Sequence, residues 1–297
     1  MTNRAQMPAG VVAGSIGRPL GGRGARFVTF PWVAALPAIL FLVAMLVLPL
    51  AYNVQRTLAP GAALDDYRKL FFDSFYLNIS FNTLALSAVV TLLCLVLGYP
   101  IAYYIARVAG RWKGLVVFLL VAPLLTSIIM RTFGWRALLA RRGLVNTYLL
   151  DLGLIDAPLR MTNGPAIVVA GLVHLFIPFM VLSIAAVLQG QSERLEDSAR
   201  ILGAGRVSVF CRITLPLSLD GVATGTILVF MLTLGSFVTL QLLGGGAFQT
   251  LPLLIYQQFQ ATQDLGFATV LSNLLVVIAL ACMWLQMRLI RRRGTQP

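Results

Sequence analysis

The chain has 297 residues, of which 59% are hydrophobic and 11% charged. Soluble proteins carry roughly 25% charged residues, so this composition excludes an ordinary soluble enzyme, a disordered chain and a nucleic-acid module. The formal net charge of +13, from 23 basic and 10 acidic residues, suggests nucleic acid in a soluble chain but cytoplasmic loops in a membrane chain, and the positions of the charges decide.

Residues 1–30 form a tail that carries Arg4, Arg18, Arg23 and Arg26. The first apolar segment, Pro31–Val54, is long enough to cross a bilayer core, which takes about 20 residues. It is too long for a signal peptide and no Ala-x-Ala cut follows it, so it reads as a retained span. A second segment follows at Ile79–Ile105, then a loop with Arg107, Arg111 and Lys113. The third, Leu115–Met130, is short and continues as a tilted or broken helix. Phe133–Gly164 is amphipathic in places and predicts short helices along a surface, with a turn at Asn163-Gly164. Arg131, just before it, and Arg136, Arg141, Arg142 and Arg160 within it make either a solvated basic surface or a docking surface. The fourth, fifth and sixth segments are Ala166–Leu188, Gly221–Leu243 and Phe267–Met287. None shows the alternating period of an outer-membrane strand. The chain closes on a basic tail, residues 288–297, whose patch at Ile290–Gly294 suits an anionic leaflet.

This order predicts an all-α membrane protein with six transmembrane helices. The N-terminal tail, the loops after spans two and four and the C-terminal tail hold 15 of the 23 basic residues. The positive-inside rule puts both termini in the cytoplasm. The asymmetry absorbs much of the +13 without nucleic acid. Cys94, Cys211 and Cys282 form no CxxC or Cys/His cluster, so neither a disulfide framework nor a metal site is supported.

The loop between spans four and five, residues 189–216, is the most informative stretch. Ser192 is placed to cap a helix, with Glu193, Glu196 and Asp197 near its positive end. Leu195, Ala199 and Leu202 fall on one helical stripe. Ala199 and Gly203 are small and four apart, which lets another surface approach. Gly203 and Gly205 end or bend the helix, and Leu215-Pro216 starts the next span.

The spacing of this loop resembles the EAA loop of type I ABC importer permeases. That pattern is Glu-Ala-Ala, three residues, Gly, nine residues, Ile, one residue, Leu-Pro. Here Asp197-Ser198-Ala199 stands at the triplet, followed at the same spacing by Gly203, Ile213 and Leu215-Pro216. The resemblance extends to Asn82–Arg107 with Gly98-Tyr99-Pro100, Arg131–Trp135, Gly143–Asn146, Pro178–Val181, Leu243–Gly246 and Gln257–Phe259. These stretches look like the spermidine/putrescine-type permeases. Asp197 departs from the family glutamate but keeps its charge on a shorter arm, and Ser198 replaces an alanine. Asp220 stands where these permeases often carry proline, and reads as a helix-start residue or as an intramembrane acid.

The resemblance implies the type I importer permease fold over residues 31–287. It implies that Asp197, Ser198, Ala199, Gly203, Ala204, Leu215 and Pro216 couple the chain to an ATP-binding subunit. It implies no cofactor and no catalysis in this chain, with ATP and magnesium in that partner. A second permease subunit or second copy and an external solute-binding protein complete the expected assembly, in a bacterial inner membrane. The solute is then small and polar, a polyamine or another solute of the same fold class such as an amino-acid derivative or opine.

Transport paths use polar residues and broken helices. Thr233, Ser236 and Thr239 recur every three residues in span five, and Tyr99, Tyr103 and Asn82 lie in span two. Each either lines a path or joins helices by hydrogen bonds. Phe237 and Trp135 offer further ring faces for a cation. His174, without an acid in its span, reads as packing rather than a proton relay. No span holds a central acid, which argues against a secondary transporter or channel. No HExxH or Ser/His pair supports a membrane enzyme.

Overall fold

The computed structural model describes residues 30–57, 63–246 and 248–291. The tail arginines before residue 30 and most of the C-terminal basic tail lie outside them. Among the described residues the chain is helical without strands. Helix α1 (Phe30–Thr57) carries Pro37 and Pro49; its first part, up to Tyr52, forms a separate unit from the rest of the chain. The remainder begins with α2 (Ala63–Phe72) and α3 (Ser74–Arg107), then α4 (Lys113–Val121), α5 (Ile128–Leu139), α6 (Leu144–Asp151) and α7 (Pro165–Gly190). The loop region holds α8 (Arg194–Ile201), α9 (Arg206–Val209), a π-helical turn at Phe210–Thr214 and α10 (Leu215–Leu217). It is followed by α11 (Leu219–Leu234), α12 (Val238–Leu243), α13 (Leu251–Gln257), a second π-helical turn at Gln258–Thr262 and α14 (Leu265–Arg291).

Four helices are each long and apolar enough to cross a membrane, and two bent pairs bring the number to six if each pair is one span. The 34 residues of α3 start on Asp73, whose carboxylate accepts the Phe75 N–H at 2.9 Å. Its polar residues do not leave the helix: Thr83, Ser87 and Thr91 each donate to the carbonyl four residues back at 2.6–2.8 Å. That satisfies hydroxyls where no water is available.

The core is the triple contact of α3, α7 and α11, with Val90, Cys94, Leu172, Met180, Val181, Ile184 and Val229 buried at its centre. Small residues bring these helices together, as membrane packing favours. A Cβ on Gly98 would lie 3.3 Å from Val181, and one on Gly221 would lie 2.9 Å from the Ile184 Cα and the Ser183 carbonyl. A second cluster joins Leu70 of α2, Ile79 of α3, Leu251 and Leu254 of α13 and Leu271 of α14.

Two predicted spans are not single helices. The third breaks after Pro123, where Thr126 and Ser127 turn extended and the two halves meet at 97°. Proline removes an N–H there, and Arg131 caps the break through Nη2 to the Thr126 carbonyl and hydroxyl, each at 3.1 Å. The fifth, expected as Gly221–Leu243, ends at Leu234 and restarts at Val238. The Gly235 N–H closes α11 on Met231, and Phe237 (φ −126°) leaves helical geometry. The fifth also bends by 61° at Ser218, between α10 and α11.

The Phe133–Gly164 region folds as short helices, as expected. Buried Asn146 ties it together, donating to the Ala140 and Leu159 carbonyls at 3.0 Å and accepting the Leu159 N–H at 2.9 Å. Asn163 takes a positive φ of 71° at the expected turn. Residues 251–257, which lie between the fifth and sixth predicted spans, form the apolar helix α13. Its first N–H, from Leu251, is held by the Thr83 hydroxyl at 2.9 Å.

Candidate functional site

The loop after α7 builds a rigid projection. Helix α8 ends on a Schellman arrangement in which Gly203, at φ +87°, donates to the Arg200 carbonyl while Ala204 donates to Ala199, both at 3.0 Å. Glycine is suited to that left-handed turn, so Gly203 terminates the helix as its position in the sequence suggested. Ser192 is not the cap: Glu193 is already helical (φ −62°, ψ −22°), and no side chain caps the start of α8.

The apolar stripe of α8 faces outward. Leu195 is 51% and Leu202 87% exposed, whereas Glu196 is buried. The face directed into the molecule is therefore ionic. Arg107, at the end of α3, places Nε 3.1 Å from Glu196 Oε1 and donates Nη1 to the Leu188 carbonyl at 2.8 Å. Glu193 lies 3.7 Å from the same guanidinium. Arg200 continues the network, 3.5 Å from Glu196 and 3.1 Å from Asp197. Lys113 reaches Gln189 at 2.8 Å, and Gln191 donates to the Leu217 carbonyl at 3.0 Å. The outer tip is apolar, with Ile201, Leu202 and Val207 each more than three-quarters exposed. Asp197 and Ser198 are exposed beside it, and Ala199 and Ala204 are half-buried.

The second half of the loop joins α11 through the π-helical turn. Tyr99 and Tyr103 of α3 meet the Phe210 ring edge-on at 5.5 and 6.3 Å. The Tyr99 hydroxyl is 2.9 Å from buried Ser218 at the bend. These tyrosines thus pack beneath the loop. Leu215 and Pro216 form the short α10 just before that bend, and Asp220 sits exposed in the first turn of α11. A carboxylate there opposes the positive helix end, which fits the helix-start reading.

The residues expected along a path are dispersed. Thr233 and Thr239 are buried on different helices, separated by the 235–237 break, so they share no single face with half-buried Ser236. Thr233 donates to the Val229 carbonyl at 2.8 Å, and a Cβ on Gly171 would lie 3.3 Å from the Thr239 methyl. Asn82 is half-buried on α3. His174 accepts the Trp135 indole N–H at Nδ1, 3.2 Å away, with the rings edge-on. That is the satisfied packing role expected of it.

The break in the fifth span instead opens beside a cavity of about 650 Å³. Phe237, Tyr256, Phe259, Thr269 and Ser272 are among its lining residues. Phe237 stacks on Tyr256 at 4.9 Å between centroids with 24° between planes. The sequence offered the Phe237 ring for a cation and Phe259 only within the resembling stretch Gln257–Phe259, while Tyr256 was not singled out. The apolar run Leu251–Ile255 before it was the available signal. No group of three or more metal-ligating side chains occurs among the described residues.

The description "binding-protein-dependent transport system inner membrane component" matches residues 6–295. The chain is 31% identical over 254 residues to the spermidine/putrescine transport system permease protein PotB of Haemophilus influenzae, across 85% of this chain and 88% of that protein. It is 33% identical over 233 residues to PotB of Escherichia coli, across 77% of this chain and 84% of the relative. A solved bacterial ABC transporter involved in import of the acidic polysaccharide alginate contains a chain of the same fold, with a TM-score of 0.77 at 21% identity over 88% of this chain and 95% of that one. With four helices long and apolar enough to cross a membrane, or six if each bent pair is one span, the chain belongs to the binding-protein-dependent transport inner membrane component family and is a multi-pass permease subunit of an ABC importer.

Proposed function

We propose that α8 and its tip dock on an ATP-binding subunit, and that Asp197, Ser198, Ala199, Gly203 and Ala204 form the contact, with Leu215 and Pro216 passing it to the fifth span. The observation that carries this reading is the exposed apolar tip of Ile201, Leu202 and Val207 on an ion-paired base. Three large apolar side chains so exposed within seven residues of one loop favour a partner surface. ATP and magnesium act in that separate subunit. Its closure on ATP moves the loop, and this chain turns that movement into a change of access.

In this reading the chain crosses the membrane six times within residues 31–287. Loop 189–216 and both tails, residues 1–30 and 288–297, face the cytoplasm of a bacterium. A second permease subunit or second copy completes the path, and an external binding protein delivers the solute. The family description, which names transport as binding-protein-dependent, supports the last partner.

The solute is small, polar and cationic, of the polyamine class. Its support is the naming of the PotB relatives and the stacked rings of Phe237 and Tyr256 beside the cavity. Aromatic faces attract a cation without trapping it as a buried carboxylate would, and the cavity volume falls within the range of small-ligand sites.

The docking is tested by cross-linking. A cysteine at Leu202 (L202C) is expected to join the ATP-binding subunit of the assembled importer within seconds of adding a short thiol cross-linker. A cysteine at Leu92, which is exposed on α3, serves as the control. Cross-linking from neither position, or from both equally, sinks the reading.

A further inference from the structure

Helix α8 is eight residues long and is joined to its neighbours by short non-helical links. On one side lie the extended residue Gln191 and the uncapped start of the helix. On the other lie Gly203 at φ +87° and the extended Gly205. A push on the tip would be absorbed in these links unless the helix were fixed to the spans by side chains. Glu196 supplies that fixing, since only 5% of its side chain is exposed, and Arg107 is only 8% exposed.

The Arg107 guanidinium is a planar fork with donors at fixed angles. It holds three things at once: the Glu196 carboxylate on α8, the Leu188 carbonyl near the end of α7, and its own helix α3. The Leu188 carbonyl, in the last turn of α7, also accepts the capping Gln191 N–H at 3.2 Å, so Arg107 holds the point where that helix ends. Among the described residues, α8, α3 and α7 meet at this pair through charged hydrogen bonds. A lysine in place of Arg107 would offer a single point of charge and could not span both acceptors in the same geometry.

We propose that Arg107 is the positioning residue that carries displacement of α8 into α3 and α7, through its buried pair with Glu196 and its bond to the Leu188 carbonyl. This rests on the reading above that α8 faces the ATP-binding subunit. The pair sets how much solute moves per ATP, beyond any part it plays in stability.

Stability and coupling are separable here. Replacing both members of a buried ion pair by apolar residues of similar volume is often neutral for folding, whereas removing one leaves an unpaired buried charge. The test uses the complete importer in proteoliposomes, with the double variant Arg107→Met/Glu196→Leu and the single variant Arg107→Lys. Assembly is checked by co-purification of the ATP-binding subunit. Import per ATP hydrolysed is expected to fall at least tenfold in the assembled double variant and at least threefold in Arg107→Lys. An unchanged ratio in either assembled variant overturns the proposal. Failure of both variants to assemble also overturns it, because the pair then only holds the fold. The L202C cross-link separates the two readings. Its absence from the otherwise unaltered chain removes the docking reading, while a normal cross-link with an unchanged ratio removes only this one.

Discussion

Gly221 and Gly225 stand one turn apart on the same face of α11, yet their surroundings differ. A methyl at Gly221 meets the backbone of α7 at 2.9 Å, on both the Ile184 Cα and the Ser183 carbonyl. Neither atom can swing aside, so the helices must separate. Overpacking of that kind costs about 1–3 kcal/mol. A methyl at Gly225 meets the Met180 sulfur at 2.7 Å, the far end of a flexible thioether that can repack. There the gain in helix propensity on leaving glycine, about 1 kcal/mol, offsets the crowding. Gly221→Ala is expected to lower the unfolding midpoint of the purified chain in detergent by several degrees, and Gly225→Ala to leave it nearly unchanged. Equal shifts would mean that α7 and α11 are less closely held than their contact suggests.

At the scale of elements, apolar length was legible in the sequence and continuity was not. Gly221–Leu243 is mostly apolar and Gly235-Ser236 is a short interruption within it, so a single fifth span was the natural reading. At that break Phe237 leaves helical geometry and stacks on Tyr256, a residue 19 positions later on α13. The third span was easier, because Pro123 announces trouble locally. The loop divides in the same way. Gly203 declared the end of α8 through its own conformational freedom, whereas the burial of Glu196 depends on Arg107, 89 residues away. No helical periodicity links those two positions. The break in span five also carries a prediction about solute. Tyr256→Ala removes the stacked ring and is expected to reduce spermidine uptake by reconstituted importer about tenfold, while Tyr256→Phe keeps the ring and most of the uptake; a cation–ring contact worth about 1–2 kcal/mol accounts for a change of that size. Equal uptake in all three chains would place the solute elsewhere.

For the whole molecule, the distribution of basic residues is a statement about sidedness that one native side chain can check. Cys211 is exposed on the π-helical turn beneath the projecting loop, Cys94 is buried, and Cys282 is half-buried within α14. A charged, membrane-impermeant maleimide is expected to label the chain at Cys211 in inverted vesicles and not in right-side-out cells. Labelling from the outside would reverse the orientation inferred from the positive charges. The Arg107–Glu196 pair has a further consequence, in time rather than in space. The chain is made from its N-terminus, and Arg107 reaches the membrane edge well before its partner exists. At ordinary synthesis rates the 89 residues between them take about 4–18 s to emerge. During that interval α3 carries an uncompensated charge at its end, and the half-made permease is exposed to quality control. Synthesis of Glu196 closes that window, so a ribosomal pause placed between α4 and α8 would lower the yield of permease more than the same pause placed after α8.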